Sequence, residues 1–438
     1  MVKKKAPDLM ETLVSLCKRR GFIFQSSEIY GGLASCWDYG PSGVELKKNI
    51  KDFWWKAMTH RRGDIEGVDA AILMHPRVWE ASGHIENFTD PLVDCKKCKR
   101  RFRADDVEGE VCPECGGELT EPRQFNLMFK TYMGPVEDSA SIVYLRPETA
   151  QGIYVNYLNV QMPSRQKIPF GIAQIGKAFR NEITPGNFIF RSREFEQMEM
   201  QYFIHPSEDE KYFEYWREQR WNWYLDMGID EAKMRWHQHG DNELAHYAKK
   251  AYDIEFEFPF GWHEIEGIHN RTDFDLKRHI KYSGKDMSYL DPFTKERYLP
   301  YIIETSAGAD RATLVVLLNA YKEEEVRGEK RVLLSLDPKI APVKAAIFPL
   351  VKRDGMPEVA HRIENDLRKH FKIFYDESGA VGRRYRRMDE AGTPFCITID
   401  SDTLKDDTVT VRERDSMMQD RIGSSHLRDY LREKIGTY

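Results

Sequence analysis

The chain has no apolar run near the roughly 20 residues that a membrane-spanning helix needs. Behind Met1-Val2-Lys3-Lys4-Lys5 and Ala6-Pro7-Asp8 there is no apolar stretch either, so no secretory leader and no membrane association are expected. No internal repeat or low-complexity segment stands out. Charge of one sign is not in excess: 66 basic against 71 acidic residues give −5. Attraction of the whole molecule to nucleic acid is therefore excluded, and any such binding must come from a local patch. Cysteine is scarce, at 7 in 438 residues, an odd number. That is not a disulfide framework; it indicates a reducing, cytoplasmic setting and, from the spacing, a metal site.

What is present is globular material. Hydrophobic residues make up 41% and aromatic residues 12%, enough for sizeable cores and too much for a disordered chain. The length suits two or three domains. Asp8 can cap a helix with Leu9, Met10, Leu13, Val14 and Leu16 at helical spacing. Pro41 precedes a second helix, roughly 43 to 60. The segment 86–140 is charged, turn-rich and cysteine-bearing, and reads as an insertion. Residues 170–204 alternate like two strands joined by a loop at Thr184-Pro185-Gly186-Asn187. Ser207 and Glu210 have the spacing of a capping box opening a Trp- and Tyr-rich helix that ends near Gly228. A glycine-bearing turn, Ala307 to Arg311, opens an apolar helix from Ala312 to Ala320. A linker is expected at Asp337 to Pro342. Beyond it strands and helices alternate, the pattern of a separate α/β domain.

Cys95-x2-Cys98 and Cys112-x2-Cys115, thirteen residues apart, can each form a knuckle with two inward thiolates. Two knuckles complete a tetrahedron, and four soft ligands without an open position suit a structural Zn2+. A redox dithiol and a merely packed cluster are the alternatives. The basic stretch Lys96 to Arg103 beside it is either an RNA contact or a solvated face.

In the second expected strand, alternation puts Phe195, Gln197, Glu199 and Gln201 on one side and Met198, Met200, Tyr202 and Ile204 on the other. The second set is a core face. The first is an aromatic among amides and carboxylates, with Phe195 and Glu199 ~13 Å apart at ~3.3 Å per residue. That spacing matches an elongated ligand with a flat ring at one end and a cation at the other. Arg180, Arg191 and Arg193 supply positive charge between them, and arginine's planar fork suits phosphate. An ordinary salt-bridged sheet surface is the alternative.

Phe179-Arg180-Asn181-Glu182, the loop, and Arg193-Glu194-Phe195 resemble motif 2 of the class II aminoacyl-tRNA synthetases. Gly308-Ala309-Asp310-Arg311 resembles motif 3, and Pro41 with its helix resembles the dimer-forming motif 1. The stretches Trp37 to Lys47, Trp79 to His84, Leu145 to Gly152 and Arg193 to Glu199 resemble the dimeric glycyl-tRNA synthetases. This resemblance runs from about Gly21 to the C-terminal helix. It implies an α+β protein: an antiparallel-sheet catalytic domain over 1–337, with a zinc-ribbon-like insertion at 86–140, and a C-terminal α/β anticodon-binding domain over 339–438. It also implies a homodimer that joins glycine to tRNA(Gly) through glycyl-adenylate, using ATP, Mg2+ and a structural Zn2+.

Carried over residue by residue, the resemblance makes Arg180, Glu182 and Arg311 catalytic. ATP would be held by Arg180, Asn181, Glu182, Phe190, Arg191, Ser192, Arg193, Glu194, Phe195, Glu264, Ile265, Gly308, Ala309, Asp310 and Arg311. Phe195 and Arg311 would sandwich the adenine, and Glu264 would be the Mg2+ ligand. Glycine would meet Arg103, Glu148, the run Phe195, Glu196, Gln197, Met198 and Glu199, and the run Glu304, Thr305, Ser306, Ala307 and Gly308. The family often has proline where this chain has Thr305. Clustered carboxylates of this kind repel one another, so a bound cation or an arginine must neutralise them. Without a side chain to grip, glycine is selected by exclusion. A catalytically silent relative would lack the phosphate-binding arginines; an adenylate-forming enzyme without tRNA would lack the C-terminal domain.

Residues 339–438 carry 19 basic and 17 acidic residues, net +2, leaving −7 on the remainder. The run Arg383-Arg384-Tyr385-Arg386-Arg387 is expected on a helix, either touching RNA or forming a solvated face paired to Asp389 and Glu390.

Overall fold

A computed structural model describes residues 8–436 except Glu108, Ser139, Ala140, Asp241 and His246, so the extreme ends of the two expected domains lie outside the described residues. Its centre is a seven-stranded sheet. The order is Met234–Gln238, Lys250–Phe258, Gly261–Thr272, Tyr301–Gly308, Glu194–Ile204, Phe170–Phe179 and Ile65–Gly67. Every pairing is antiparallel except the last, where Ile65–Gly67 runs parallel to its neighbour.

Register decides which residues share a face. Glu199 stands opposite Ser306 and Gln174, Gln201 opposite Glu304, and Gln197 opposite Gly308. One strand further, His269 stands opposite Glu304 and Gly267 opposite Ser306. Cross-strand partners point to the same side, so these polar residues form one continuous face. The alternate set, Met198, Met200, Tyr202 and Ile204, is buried in the main core. That core is capped by three helices, Pro41–Trp55, Asp209–Asp226 and Ala309–Ala320. A buried ion pair, Arg220 Nε to Glu266 Oε1 at 2.5 Å, ties the middle helix to the sheet.

Several local expectations are corrected. The helix after the motif 3-like turn starts at Ala309, three residues earlier than its apolar pattern suggests, with Gly308 as its N-cap. Asp310 is buried there and accepts hydrogen bonds from Tyr39 Oη (2.5 Å), Lys47 Nζ (2.8 Å) and the Glu196 backbone N–H (2.7 Å). The Ser207 capping box does not form. Pro206 begins a short 3₁₀ turn, the His205 ring accepts from Ser207 N–H, and the helix proper starts at Asp209.

The cysteine-bearing segment forms a three-stranded sheet of Arg101–Arg103, Thr89–Asp94 and Arg123–Asn126. The C-terminal part has its own core and a five-stranded sheet in the order Ile373–Tyr375, Ala345–Pro349, Phe395–Ile399, Thr408–Glu413 and Gln419–Gly423. The first three strands are parallel and the rest antiparallel. The last strand carries too few apolar residues to be legible beforehand.

The two parts meet through buried polar contacts. Asp389, itself paired with Arg412 of the same part (2.9 Å), accepts from Arg331 Nε across the junction (2.9 Å), and the half-buried Glu390 takes Arg20 Nε (2.7 Å). The basic run on Val381–Ala391 is largely spent inside the fold. Arg384 is buried and donates to the Pro349 carbonyl (2.7 Å), Arg387 pairs with Asp376 (2.5 Å) and Tyr385 bonds Thr398 (2.6 Å). Arg384 is therefore not part of an RNA-stacking surface, while Arg383 is exposed and Tyr385, Arg386 and Arg387 are half-buried.

Candidate active site

The polar face of the sheet opens into a cleft with two chemically distinct ends. One end carries rings and guanidinium groups. Arg180 lies over the Phe195 ring (5.3 Å) and the Phe88 ring (5.4 Å), and its Nε donates to the Pro147 carbonyl (3.1 Å). Arg311 lies over Phe190 (4.5 Å) and donates to the Phe190 carbonyl (3.2 Å) and to Glu264 Oε2 (3.1 Å). Such stacked cations are weakly hydrated and keep donors available for an anion. The Glu264 carboxylate is nearly half exposed (47%) at the mouth. Its surroundings oppose ionisation, but Arg311 beside it holds its pKa below the ordinary value. Glu182, Ile189, Arg191 and Ser192 complete this end.

The other end is a cage of buried acids. Glu304 is 4% exposed and is gripped by Arg271 Nη1 (3.0 Å) and Gln201 Nε2 (2.7 Å), with His269 Nδ1 3.0 Å away. Burial alone would raise its pKa, but Arg271 and His269 hold it well below the ordinary carboxylate range. Glu148 accepts from Gln151 Nε2 (2.9 Å), and His84 Nε2 lies 3.4 Å away. Against its burial, the neighbouring His84 brings Glu148 down to about 2. Glu199 is different: burial first, then the charges of Glu304 and Glu148, push it well above the ordinary value. It accepts from Thr149 Oγ1 and Gln201 Nε2 (2.9 Å). Three acids are thus packed together, one of them with its pKa pushed up, the response expected of like charges in a shared site.

The neutralising arginine anticipated from the sequence is Arg271. It is buried, bidentate to Asp275 (Nε–Oδ2 2.8 Å, Nη2–Oδ1 3.1 Å) and bonded to Glu304. Neither it nor His269 was singled out beforehand. The available signal was the alternation Gly267, His269, Arg271 on one strand, which points all three at the neighbouring Ser306 and Glu304.

Of the expected site residues, Glu148, Arg180, Glu182, Phe190, Arg191, Ser192, Phe195, Gln197, Glu199, Glu264, Glu304, Ser306, Gly308, Asp310 and Arg311 line this cleft. Others do not reach it with their side chains. Contiguous runs were expected to touch glycine, but strand faces alternate. Met198 and Ala307 lie in the core. Thr305 is fully buried in mid-strand rather than in a loop. Glu196 turns away to Lys47 (2.8 Å) and Lys51 (2.9 Å). Ile265 and Ala309 are also core residues. Arg193 donates to the Ala34 carbonyl (3.0 Å) and the Glu182 carbonyl (3.2 Å), and Glu194 pairs with Lys177, so both shape the loop. Asn181 fixes backbone through its N–H on the Leu127 carbonyl (2.7 Å). Arg103 sits on the insertion, paired with Asp90 (3.4 Å) and Asp105 (3.1 Å).

The four close cysteines converge. Their sulfurs all lie within 4.8 Å of one another, with Cys95–Cys115 at 3.5 Å and Cys98–Cys112 at 3.7 Å. A tetrahedral zinc with Zn–S near 2.3 Å requires sulfurs about 3.8 Å apart, so the donor set fits. N–H donation from Cys98 lowers Cys95 to about 6. The basic residues nearby are mostly paired: Lys96 with Glu118, Arg100 with Glu114 (2.5 Å) and Arg101 with Asp94 (3.0 Å). That favours the solvated-face reading over an RNA contact.

Comparison with known proteins agrees with this geometry. Residues 132–321 match the tRNA synthetase class II core domain (G, H, P, S and T), and residues 344–434 match the anticodon binding domain. The glycine–tRNA ligase of Treponema denticola is 60% identical, with 98% of each chain covered. That of Borreliella burgdorferi strain B31 is 57% identical, also over 98% of each chain. That of Chlorobaculum tepidum is 54% identical over 97% of this chain and all of its own. Among solved structures, a prolyl-tRNA synthetase from Cryptosporidium parvum, complexed with halofuginone and AMPPNP, superposes with TM-score 0.68. It covers 97% of this chain and 75% of its own at 14% identity, a likeness of fold alone.

Proposed function

The chain belongs to the glycine–tRNA ligase family of class II synthetases, and from that membership we propose how its cleft divides the work. The enzyme activates glycine with ATP to glycyl-adenylate and pyrophosphate, then transfers glycine to the 3′ end of tRNA(Gly). The single observation that supports the assignment of roles is one sheet face with Arg180, Phe195 and Arg311 at one end and Glu148, Glu199 and Glu304 around Arg271 at the other.

The adenine enters between Phe195 and Arg311, displacing the present contact of Arg311 with Phe190. Arg180 meets the α-phosphate and Arg191 the outer phosphates. The acid cage holds the glycine ammonium, with Ser306 beside it. Glycine's carboxylate is already ionised, so attack on the α-phosphate needs no general base. The work is to place two anions in line and to stabilise charge growing on the phosphoryl oxygens. Glu264 would hold Mg2+, which would supply positive charge against the outgoing phosphates. Binding of the ammonium favours ionised Glu199 and so brings its raised pKa down.

We read residues 1–337 as the catalytic unit, with 86–140 inserted, and 339–438 as the unit that reads the anticodon; separate hydrophobic cores support the division. Cys95, Cys98, Cys112 and Cys115 would hold a structural Zn2+, four ligands closing the coordination shell. Homodimer formation is supported by exposed apolar residues on and just before the motif 1-like helix: Ile29 and Tyr30 are each 87% exposed, with Leu33 and Val44 beside them. A cytoplasmic setting is supported by seven cysteines without a disulfide. Among the described residues no helix is long and apolar enough to cross a membrane.

ATP–pyrophosphate exchange scanned over the twenty amino acids tests the reading, followed by transfer to tRNA. Exchange with glycine alone and transfer to tRNA(Gly) are expected. No exchange with glycine would overturn the assignment; exchange without transfer would leave an adenylate-forming enzyme of another kind.

A further inference from the structure

The segment linking Met234–Gln238 to Lys250–Phe258 brings Tyr247 to the acidic end of the cleft. It is held on both sides. His239 Nε2 lies 2.8 Å from Asp253 Oδ2, Gly240 N–H donates to Glu243 Oε2 (3.0 Å), Lys249 N–H donates to the Asn270 carbonyl (2.8 Å) and Lys249 Nζ to Asp209 Oδ2 (2.6 Å). Between these anchors the Tyr247 ring lies over the Arg271 guanidinium at 3.8 Å, with the rings of Phe274 and His269 at 6.4 and 6.5 Å.

The other side chains at this end are carboxylates, a guanidinium, an imidazole, an amide and a hydroxyl. Those groups suit an ammonium and a carboxylate. None suits the methylene between them, which leaves a polar partner unsatisfied wherever it touches one. Tyr247 supplies the apolar face at this end among the described residues. The space over Gly267 is already filled, since a Cβ added there would meet the His269 ring at 2.6 Å.

Taking the acid cage as the glycine site proposed above, we propose that Tyr247 is a specificity-determining residue. Its ring closes the pocket over the α-carbon, occupying the space that a methyl group would need, and holds Arg271 flat against Glu304.

The test is ATP–pyrophosphate exchange with glycine and with alanine, using full-length wild type, Tyr247→Phe, Tyr247→Ala and Glu199→Gln. Tyr247→Phe is expected to keep both rates within about threefold. Tyr247→Ala is expected to raise the alanine-to-glycine ratio of kcat/KM at least about tenfold, the lower range for one methyl group in a pocket, with KM for ATP unchanged. Tyr247→Val decides the question if Tyr247→Ala does not accumulate folded. An unchanged ratio with normal ATP affinity overturns the role of Tyr247. Glu199→Gln separates the two readings: retained glycine exchange in that variant overturns the cage itself, whereas its loss beside an unchanged Tyr247→Ala ratio overturns only the wall.

Discussion

Replacing Glu199 by Gln should stabilise the protein while disabling it. Glu199 is 2% exposed and sits beside two other acids. In the unfolded chain it titrates near its ordinary 4.5 and is ionised at pH 7. In the fold its pKa is raised by burial, then by Glu304 and Glu148, so folding must either take up a proton or bury a repelled charge. Proton uptake across 2.5 pH units costs about 3.4 kcal/mol, and this is the ceiling because the cheaper route prevails. Glutamine has the shape of the neutral acid; its Oε1 can still accept from Gln201 Nε2, and its Nε2 can donate to Thr149 Oγ1 once that hydroxyl turns. A gain of at most about 3 kcal/mol, or an apparent Tm rise of up to about 3 °C, follows at neutral pH.

The pH dependence carries the sign. A raised folded pKa means that wild-type stability from this group is intact below 4.5 and is lost as pH climbs toward the folded value. The advantage of Glu199→Gln should therefore vanish near pH 4.5, grow with pH, and level off above the folded pKa. Glycine exchange should fall at least about 30-fold, from loss of a buried charge partner worth about 2–5 kcal/mol, with KM for ATP unchanged. Thermal melts from pH 4.5 to 8, with exchange kinetics on the same samples, decide it. A destabilised variant, or a difference flat with pH, would refute the account of Glu199 as a neutral acid.

Three further outcomes follow from the same geometry. Arg180→Ala should abolish exchange with the fold intact, since Arg180 is stacked at the cleft and its side chain donates to the Pro147 carbonyl; near-normal turnover would remove it from the α-phosphate. Arg271→Met should lower stability by about 3–5 kcal/mol by stranding Asp275 and Glu304, read as a fall in the denaturant midpoint; an unchanged midpoint would count against the buried network. Cys112→Ser with Cys115→Ser should abolish tight zinc binding and lower the melting temperature; unchanged metal content would exclude the four-thiolate site.

Much of this was written locally. The period-2 run Phe195 to Ile204 declared both faces of its strand, and the paired cysteines declared a metal site, because each signal lies within a few residues. The basic run at Arg383 to Arg387 misled for the same reason. Composition shows charge but not direction, and Arg384 turned inward to the carbonyls of a neighbouring strand. Likewise the contiguous run from Glu304 to Gly308 could not all reach one ligand, since alternate residues of a strand face opposite ways.

The sequence by itself determined several of the elements, the split into two parts, and many of the residue types at each end of the cleft. Only the tertiary structure decided which acid has its pKa raised, that Arg271 and His84 offset the other two, and that Tyr247 lies over Arg271. Those outcomes depend on distances between strands far apart in the chain. The energy of a charge is set by the nearest opposing charge and by the exclusion of water, neither of which is a property of its neighbours in sequence.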